Sequence, residues 1–96
     1  MLRKYILKEI LHSGRKGIRG TDRTELKYKG LLGYQCFISS AQIRQFKPCK
    51  FDVNSPYYDW WRTSEVLAAK IYCNDDGTFL EIETVNTIYI FKEVTK

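Results

Sequence analysis

Apolar and polar residues alternate most clearly in the segment 78–84, where Leu80 and Ile82 alternate with Glu81 and Glu83. A period of two is typical of a strand with one buried face and one face in water. The segment 62–73 precedes it, and the link between them ends in an Asp-Gly pair, which can supply the positive φ angles of a tight turn. After a two-residue reversal, 87–94 is rich in β-branched and aromatic residues. We predict a three-stranded antiparallel meander.

The first two thirds of the chain give shorter patterns. Residues 33–38 and 50–53 predict strands, whereas 39–46 fits either one short helical turn or a loop. Residues 2–11 fit a helical spacing as well as a doubly buried strand, and we favour the strand. Five or six short strands in a chain of this length most often close into a barrel. We therefore predict one mainly β domain, 1–96, folded as a small antiparallel β-barrel or strongly bent sheet of SH3-like size, with room for one short helix.

The composition indicates a folded domain with an uneven distribution of charge. Of the 96 residues, 44% are hydrophobic and 28% are charged, which is enough apolar material for one modest core. The net charge is +5, but residues 1–50 contain 12 Lys or Arg against 3 Asp or Glu, while residues 51–96 contain 4 against 8. Such a chain can present a positive face to phosphates, nucleic acid or an acidic protein. Alternatively, the two halves interleave in space and their charges cancel.

Reactive side chains do not form a recognisable catalytic or metal-binding motif. Cys36, Cys49 and Cys73 are an odd number without C-x-x-C spacing, so we expect buried reduced thiols. His12 is the single histidine and has no serine or cysteine nucleophile positioned by motif, so we expect no catalytic residue, no metal and no cofactor, and a protein that is not an enzyme. No signal-peptide or membrane-span pattern is present, so we expect a cytoplasmic protein without a membrane partner.

A basic, glycine-containing segment, HSGRKGIRGTDR, occupies residues 12–23. Its cations are Arg15, Lys16, Arg19 and Arg23. Glycines allow backbone amides to converge on an anion, and these cations could hold it. The spacing matches neither a Walker loop nor the G-x-G-x-x-G dinucleotide motif. The segment therefore fits either an anion-binding loop or a solvated hairpin or Ω-loop.

A second candidate site lies in the segment 57–62, which contains four aromatic residues and an arginine. Aromatic faces can stack on bases, and the arginine can bind phosphate. Alternatively, alternate rings cap the barrel, with Tyr58 and Trp60 on one side and Tyr57 and Trp61 on the other. Because a domain of this size cannot easily bury all four rings, we predict that at least one ring is accessible to solvent. The combined ligand site that we predict is Arg15, Lys16, Arg19, Arg23, Tyr57, Trp60, Trp61 and Arg62.

Two motifs in roughly the last 35 residues carry a resemblance to known sequences. Residues 63–66 read TSEV, and about twenty residues later 84–89 read TVNTIY. The pair is similar to the "TSxV" strand followed by "TxNSxY" of short uncharacterised phage proteins, with Thr87 in place of the usual serine. The resemblance implies a β-meander and a phage context, in which small basic proteins often bind host factors, nucleic acid or nucleotide signals of host immunity. On this basis we expect a phage protein in the cytoplasm of an infected bacterial host, with an anti-defence role as one hypothesis. It supplies no binding residue.

Three functions remain open from the sequence. The first is a non-enzymatic phage-type binding protein that captures an anionic nucleotide, with a nucleotide signal of host immunity as the candidate ligand. The second is a small basic nucleic-acid-binding barrel, and the third is an inhibitor that docks on an acidic host protein. The first two require the same side chains, because both ligands present phosphates and bases. Spare aromatic surface on a small sheet also favours a homo-oligomer.

Overall fold

The computed structural model describes residues 2–14, 17–25, 27–43 and 46–94. Six antiparallel strands follow one another in chain order around a closed barrel, and the last pairs with the first. The strands are β1 (Leu2–His12), β2 (Gln35–Ser39), β3 (Pro48–Val53), β4 (Trp60–Asn74), β5 (Gly77–Thr84) and β6 (Thr87–Glu93). Two 3₁₀ helices, Lys27–Leu31 and Ser40–Gln42, are the helical segments of the described chain, and neither has the length that a membrane crossing requires. The predicted mainly β fold is confirmed.

The predicted meander is formed by β4, β5 and β6. Leu80 and Ile82 of β5 are buried, as their alternation with glutamates predicts. In the β4–β5 turn Gly77 has a φ of 131°, while the aspartate before it has a negative φ, so only the glycine of the Asp-Gly pair supplies a positive angle. The Asn74 side chain accepts a hydrogen bond from the Asp76 N–H at 2.8 Å. The turn is therefore stabilised by this asparagine in addition to the glycine.

The N-terminal segment is a strand, as we favoured from its pattern. β1 lies between β2 and β6, and its Tyr5, Leu7 and Ile10 are buried. A bulge between Leu7 and Glu9 shifts the register against β6. Because the extra residue changes the phase of the strand, Leu7 and Ile10 both reach the core although they are three residues apart.

The centre of the barrel is filled by aromatic rings. Phe51 of β3 packs edge-to-face on Phe91 and on Tyr89, with ring centroids 4.9 and 5.7 Å apart. Trp61 of β4 enters the same core and donates its indole N–H to the Tyr89 hydroxyl at 3.2 Å. Full burial of a large apolar side chain contributes about 1.5–3 kcal/mol. The aromatic core thus packs against the inner face of β3 and of the first part of β4.

β4 is the longest strand and changes its neighbour along its length. Its residues 60–65 pair with β3, and residues 66–74 pair with β5. A register shift between Val66 and Ala68 marks the change. From 67 to 74 the edge that would continue the β3 side is paired with no strand of the described chain. The first part of β4 therefore lies over the core, and the second part extends beyond it.

Candidate functional site

Cations and an indole ring meet on the outer face of β3 and β4. Lys50 lies opposite Arg62 in the ladder, and Asp52 lies opposite Trp60. Because side chains alternate along a strand, these four point away from the core while the residues between them point into it. The Lys50 Nζ lies 5.6 Å from the centroid of the Trp60 ring, within the range of a cation–π contact.

A surface recess of about 520 Å³ adjoins this contact. Its lining residues are Gln42, Lys47, Pro48, Lys50, Trp60 and Arg62. Three of these six side chains are cationic and none is acidic. The volume falls in the range of about 300–1,000 Å³ that is common for small-molecule sites. The recess can therefore hold an anionic ligand that also offers an apolar or aromatic surface to Trp60.

Backbone contacts fix the segment that brings Lys47 to the recess. The Phe46 N–H donates to the Val66 carbonyl, and the Val66 N–H donates to the Lys47 carbonyl at 3.0 Å. Phe46 has a φ of 63°, which is unusual for a bulky residue. Gln42 also lines the recess, and its side chain accepts a hydrogen bond from the Ser39 N–H at 3.4 Å and helps to cap its short helix. The segments that carry Lys47 and Gln42 are thus both attached to strands of the barrel.

Asp52 moderates the positive charge of the recess. Its Oδ1 lies 3.7 Å from the Lys50 Nζ, and both side chains are about half exposed. Exposed ion pairs of this kind contribute only about 0–1 kcal/mol. Lys50 can therefore exchange this carboxylate for a ligand phosphate at small cost.

The four aromatic residues predicted as a cluster divide between surface and core. Trp60 is 52% exposed and Tyr57 is 75% exposed, whereas Trp61 is only 8% exposed. Tyr58 packs edge-to-face on Trp61 with centroids 5.8 Å apart. The predicted sides, Tyr58 with Trp60 and Tyr57 with Trp61, are wrong because 54–59 is a loop and strand alternation begins only at Trp60. Accessible rings are confirmed, but Trp61 is a core residue that cannot stack on a surface ligand.

The arginines of the basic segment bind the protein itself. The Arg19 guanidinium donates two hydrogen bonds to the Glu83 carboxylate, at 2.8 and 2.9 Å. This bidentate contact lowers the pKa of Glu83 and raises that of Arg19. Arg23 donates to the Asn86 carbonyl and to the Thr87 hydroxyl. Arg19 and Arg23 therefore attach the segment to β5 and to the β5–β6 turn, so the guanidinium groups that the sequence predicts to bind a ligand form hydrogen bonds within the protein.

The remaining cations of that segment, Arg15 and Lys16, lie outside the described residues. The three glycines all have positive φ angles, so the segment turns sharply at each of them. Glu83, which holds Arg19, pairs with Ala68 of β4, eight residues from Trp60. Eight residues span roughly 25 Å along a strand. Arg19 is thus held well away from Trp60, and the described part of the basic segment does not join the aromatic cluster in one combined site.

Opposite charges from the two halves of the sequence meet in several ion pairs. Besides Arg19 with Glu83, the Arg3 guanidinium lies 3.5 Å from the Glu93 carboxylate. Part of the positive charge of residues 1–50 is therefore matched by carboxylates of residues 51–96, as the interleaved alternative predicts. The recess is an exception, because its lining gathers cations from both halves.

Four lining residues of the recess are absent from the predicted site: Gln42, Lys47, Pro48 and Lys50. One signal for them was present in the sequence. In 50–53, which reads KFDV, polar and apolar residues alternate, so Lys50 and Asp52 share one face, and a second short segment that contains Trp60 and Arg62 follows after the loop. Pairing these two segments as a hairpin places Lys50 beside Trp60 and Arg62 on one face.

Other reactive groups do not assemble into a site within the described ranges. No group of three His, Cys, Asp or Glu side chains there could hold a metal ion. Cys36 and Cys49 are buried, and burial raises the pKa of each thiol to about 12. Cys73 is exposed, so the prediction of buried thiols holds for two cysteines and is wrong for the third. The difference arises because Cys73 lies on the part of β4 beyond the core.

Comparisons with known proteins do not identify a relative. Protein-family models, curated proteins and solved structures each give no match to this chain. The similarity of 63–66 and 84–89 to phage sequences stays a prediction from motifs. The geometry of the recess is therefore the observation from which function can be argued.

Proposed function

We propose that this protein is a non-enzymatic binding protein that holds a nucleotide-type anionic ligand on the outer face of β3 and β4. The observation that carries the proposal is the exposed Trp60 ring beside Lys50, in a recess whose charged lining residues are all cations. A ligand with a flat base and a phosphate matches both features. Its base would stack on the indole, and its phosphate would accept hydrogen bonds from Arg62.

The ladder position of the two central cations supports phosphate as the anion. Lys50 and Arg62 are directly opposite each other in the β3–β4 pair. Directly opposed residues have Cβ atoms about 5 Å apart, so both side chains can reach one phosphate. Arginine adds a bidentate geometry that matches phosphate oxygens. This pairing favours a compact multivalent anion over a single carboxylate.

The chemistry of the lining favours binding over catalysis. Gln42, Lys47, Pro48, Lys50, Trp60 and Arg62 include no carboxylate, imidazole, thiol or hydroxyl. The side chains of Gln42, Lys47, Lys50 and Arg62 all carry hydrogen-bond donors, which suits the binding of an anion. The similarity of the C-terminal motifs to phage proteins adds the finer proposal that the ligand is a nucleotide signal of host immunity, captured in an infected bacterium.

A second candidate ligand is a single-stranded nucleic acid. The observation in its favour is Tyr57, which is highly exposed in the loop that leads to Trp60. Two exposed rings three residues apart could stack two successive bases, and base stacking on an aromatic ring is worth about 1–3 kcal/mol. On this alternative the recess is one part of a longer track.

Calorimetric titration with mononucleotides, cyclic dinucleotides and thymidylate oligomers tests the proposal. We expect Trp60→Ala and Arg62→Ala each to weaken binding about tenfold or more, because each removes one principal contact. Arg3→Ala is the matched control for Arg62→Ala, since it removes an exposed arginine from β1 and changes the net charge equally. We expect Arg3→Ala and Arg19→Ala to change affinity less than about twofold. Equal losses in Arg3→Ala and Arg62→Ala would contradict a defined site.

Chain length and salt separate the two ligand sources. A nucleotide-capture protein should reach its full affinity with a mono- or dinucleotide, and Tyr57→Ala should leave that affinity unchanged. A strand-binding protein should gain affinity with oligomer length, lose it steeply with salt, and lose it in Tyr57→Ala for the longer oligomers only.

A further inference from the structure

The second half of β4 exposes apolar side chains on the inner side of the sheet. Ala69 and Ile71 lie opposite Ile82 and Leu80 of β5, whose side chains point to the core. Ile71 is nevertheless 61% exposed, and Leu67 at the bulge is 40% exposed. The apolar inner side of the sheet thus extends beyond the part that the barrel buries, and there it is open to solvent.

A groove of about 460 Å³ lies along this surface. It is lined by Ser40, Ile43, Ala69, Lys70, Ile71 and Leu80. Four of the six side chains are aliphatic, and the groove runs between the short helix Ser40–Gln42 and β4. An extended segment placed against β4 would cover Ile71 and fill the space beside Ile43.

The backbone of the same segment also lacks a strand partner on this side. β5 occupies one edge of 67–74, and no strand of the described chain pairs with the other. A free edge presents N–H and C=O groups in the spacing of a β-ladder, and another strand satisfies them best. An extended strand with apolar side chains would therefore both fill the groove and pair with the free backbone groups of the edge.

The charge of the edge narrows the identity of that strand. Lys70 is the one charged residue in 67–74, and its Nζ lies 3.8 Å from the Glu81 carboxylate. The edge is therefore close to neutral locally, although the whole chain carries +5. A neutral apolar strand of the same composition can approach without repulsion. A strongly acidic or basic partner gains nothing from this edge.

We propose that the edge 67–74 pairs with the same edge of a second copy of this chain, antiparallel about a two-fold axis at Ile71. Ile71 then faces its own copy, and Ala69 faces the partner's Cys73 over the groove. On the outer face Lys70 faces the partner's Tyr72, and no like charges are opposed. Lys70 already lies 5.8 Å from the Tyr72 ring of its own strand, a contact that the pairing repeats between copies. An isologous pair of this kind closes at two copies.

Sedimentation equilibrium of the full chain tests the dimer. The edge is short, so we expect a weak dimer whose population rises with protein concentration. Ile71→Lys places like charges together at the axis and should give a monomer at every concentration. Ile18→Lys is the matched control, since Ile18 is a 41% exposed isoleucine on the basic segment and the charge change is equal. A wild-type monomer at all concentrations, or a dimer that persists in Ile71→Lys, overturns the proposal.

Disulfide trapping tests the register independently of that variant. In Ala69→Cys the new thiol should form a disulfide with the partner's Cys73 under mild oxidation. Residues 69 and 73 of one strand are about 13 Å apart, too far for an intrachain bond. Ala68→Cys, whose side chain lies on the other face, is the control and should stay uncrosslinked, as should wild type. Equal trapping of both variants, or a dimer in which Ala69→Cys is not trapped, overturns the pairing at Ile71.

Discussion

The two halves of β4 differ in what lies against their inner face. In residues 60–66, Trp61, Thr63 and Val66 are buried, and the residues between them are exposed. In 67–74 no residue is fully buried. Each half is paired on one edge, the first with β3 and the second with β5. The difference therefore comes from the packing above the strand and not from the number of its neighbours.

This difference assigns separate surfaces to the two proposals. The first half is held from behind by the aromatic core, so its outer face can keep Trp60 and Arg62 in a fixed arrangement around the recess. Little packs against the inner face of the second half, so this face and the free edge remain open to another strand. One continuous strand can thus support a ligand surface at one end and an association surface at the other.

The largest contrast that we expect between the halves is in thiol reactivity. Cys49 is buried beside the first half, where its backbone N–H donates to the Thr63 hydroxyl at 2.9 Å, whereas Cys73 is exposed on the second. With a pKa of about 12, only about one buried thiol in 10,000 is ionised at pH 8. An aromatic disulfide reagent at pH 8 should therefore label one thiol per chain, at least about a thousandfold faster than the others.

The Cys73→Ser variant and denaturant provide the controls for that measurement. The variant should lose the fast phase completely, because Cys36 and Cys49 are both buried. In concentrated urea wild type should react at three thiols. Fast labelling of two or more thiols in the folded protein would show that the first half is not sealed as the packing requires.

The next contrast concerns stability. Trp61→Ala removes a buried ring and its hydrogen bond to the Tyr89 hydroxyl, so we expect a loss of about 3–5 kcal/mol in the free energy of unfolding. Ile71→Ala, at a largely exposed position, should cost less than about 1 kcal/mol at protein concentrations where the chain is monomeric. Urea denaturation followed by circular dichroism measures both. Similar losses at Trp61 and Ile71 would mean that the second half is also packed.

Local signals explain why the sequence predicts the fold well. Period-two alternation in 78–84, the turn glycine at Gly77 and the breakers around the central strands each act over a few residues. They are enough to place the strands and, with the short length of the chain, to predict a barrel. The strand β4 was predicted as 62–73, three residues shorter than it is, because Trp60 and Trp61 were assigned to the aromatic cluster and Asn74 to the turn.

Long-range pairing explains why the candidate site was only partly predicted. Arg19 and Arg23 are cations in a glycine-containing segment, but their partners Glu83, Asn86 and Thr87 lie more than 60 residues away in the sequence. Composition cannot indicate which cations are already bound within the protein. In the aromatic cluster, the assignment of rings to core or surface depends on the residue at which β4 begins. Trp60 and Arg62 remain in the candidate site because that phase directs them outward.

The smallest effect that we expect lies on the outer face of the second half of β4, where ion pairs replace packing. Glu83 lies opposite Ala68, and hydrogen bonds from Arg19 lower the pKa of its carboxyl. A carboxyl with a lower pKa in the folded state stabilises the fold above its unfolded pKa of about 4.3, and this contribution is lost as the pH falls through the folded value. We expect Glu83→Gln to lower Tm at pH 7 by about 3 °C at most.

The pH dependence of this Tm difference shows whether the charge of Glu83 or its packing causes the effect. The Tm difference between Glu83→Gln and wild type should shrink on acidification and vanish once the wild-type carboxyl is protonated, because both proteins then carry a neutral side chain at this position. Glu81→Gln is the matched control on the same strand face, and its ion pair with Lys70, at 3.8 Å, is longer than the hydrogen bonds of Glu83 and should give a smaller difference at pH 7. A Glu83→Gln difference that is constant with pH would assign the loss to packing. Packing would then stabilise the outer face of the second half of β4, as it stabilises the first half. The two halves would then differ only at their inner faces.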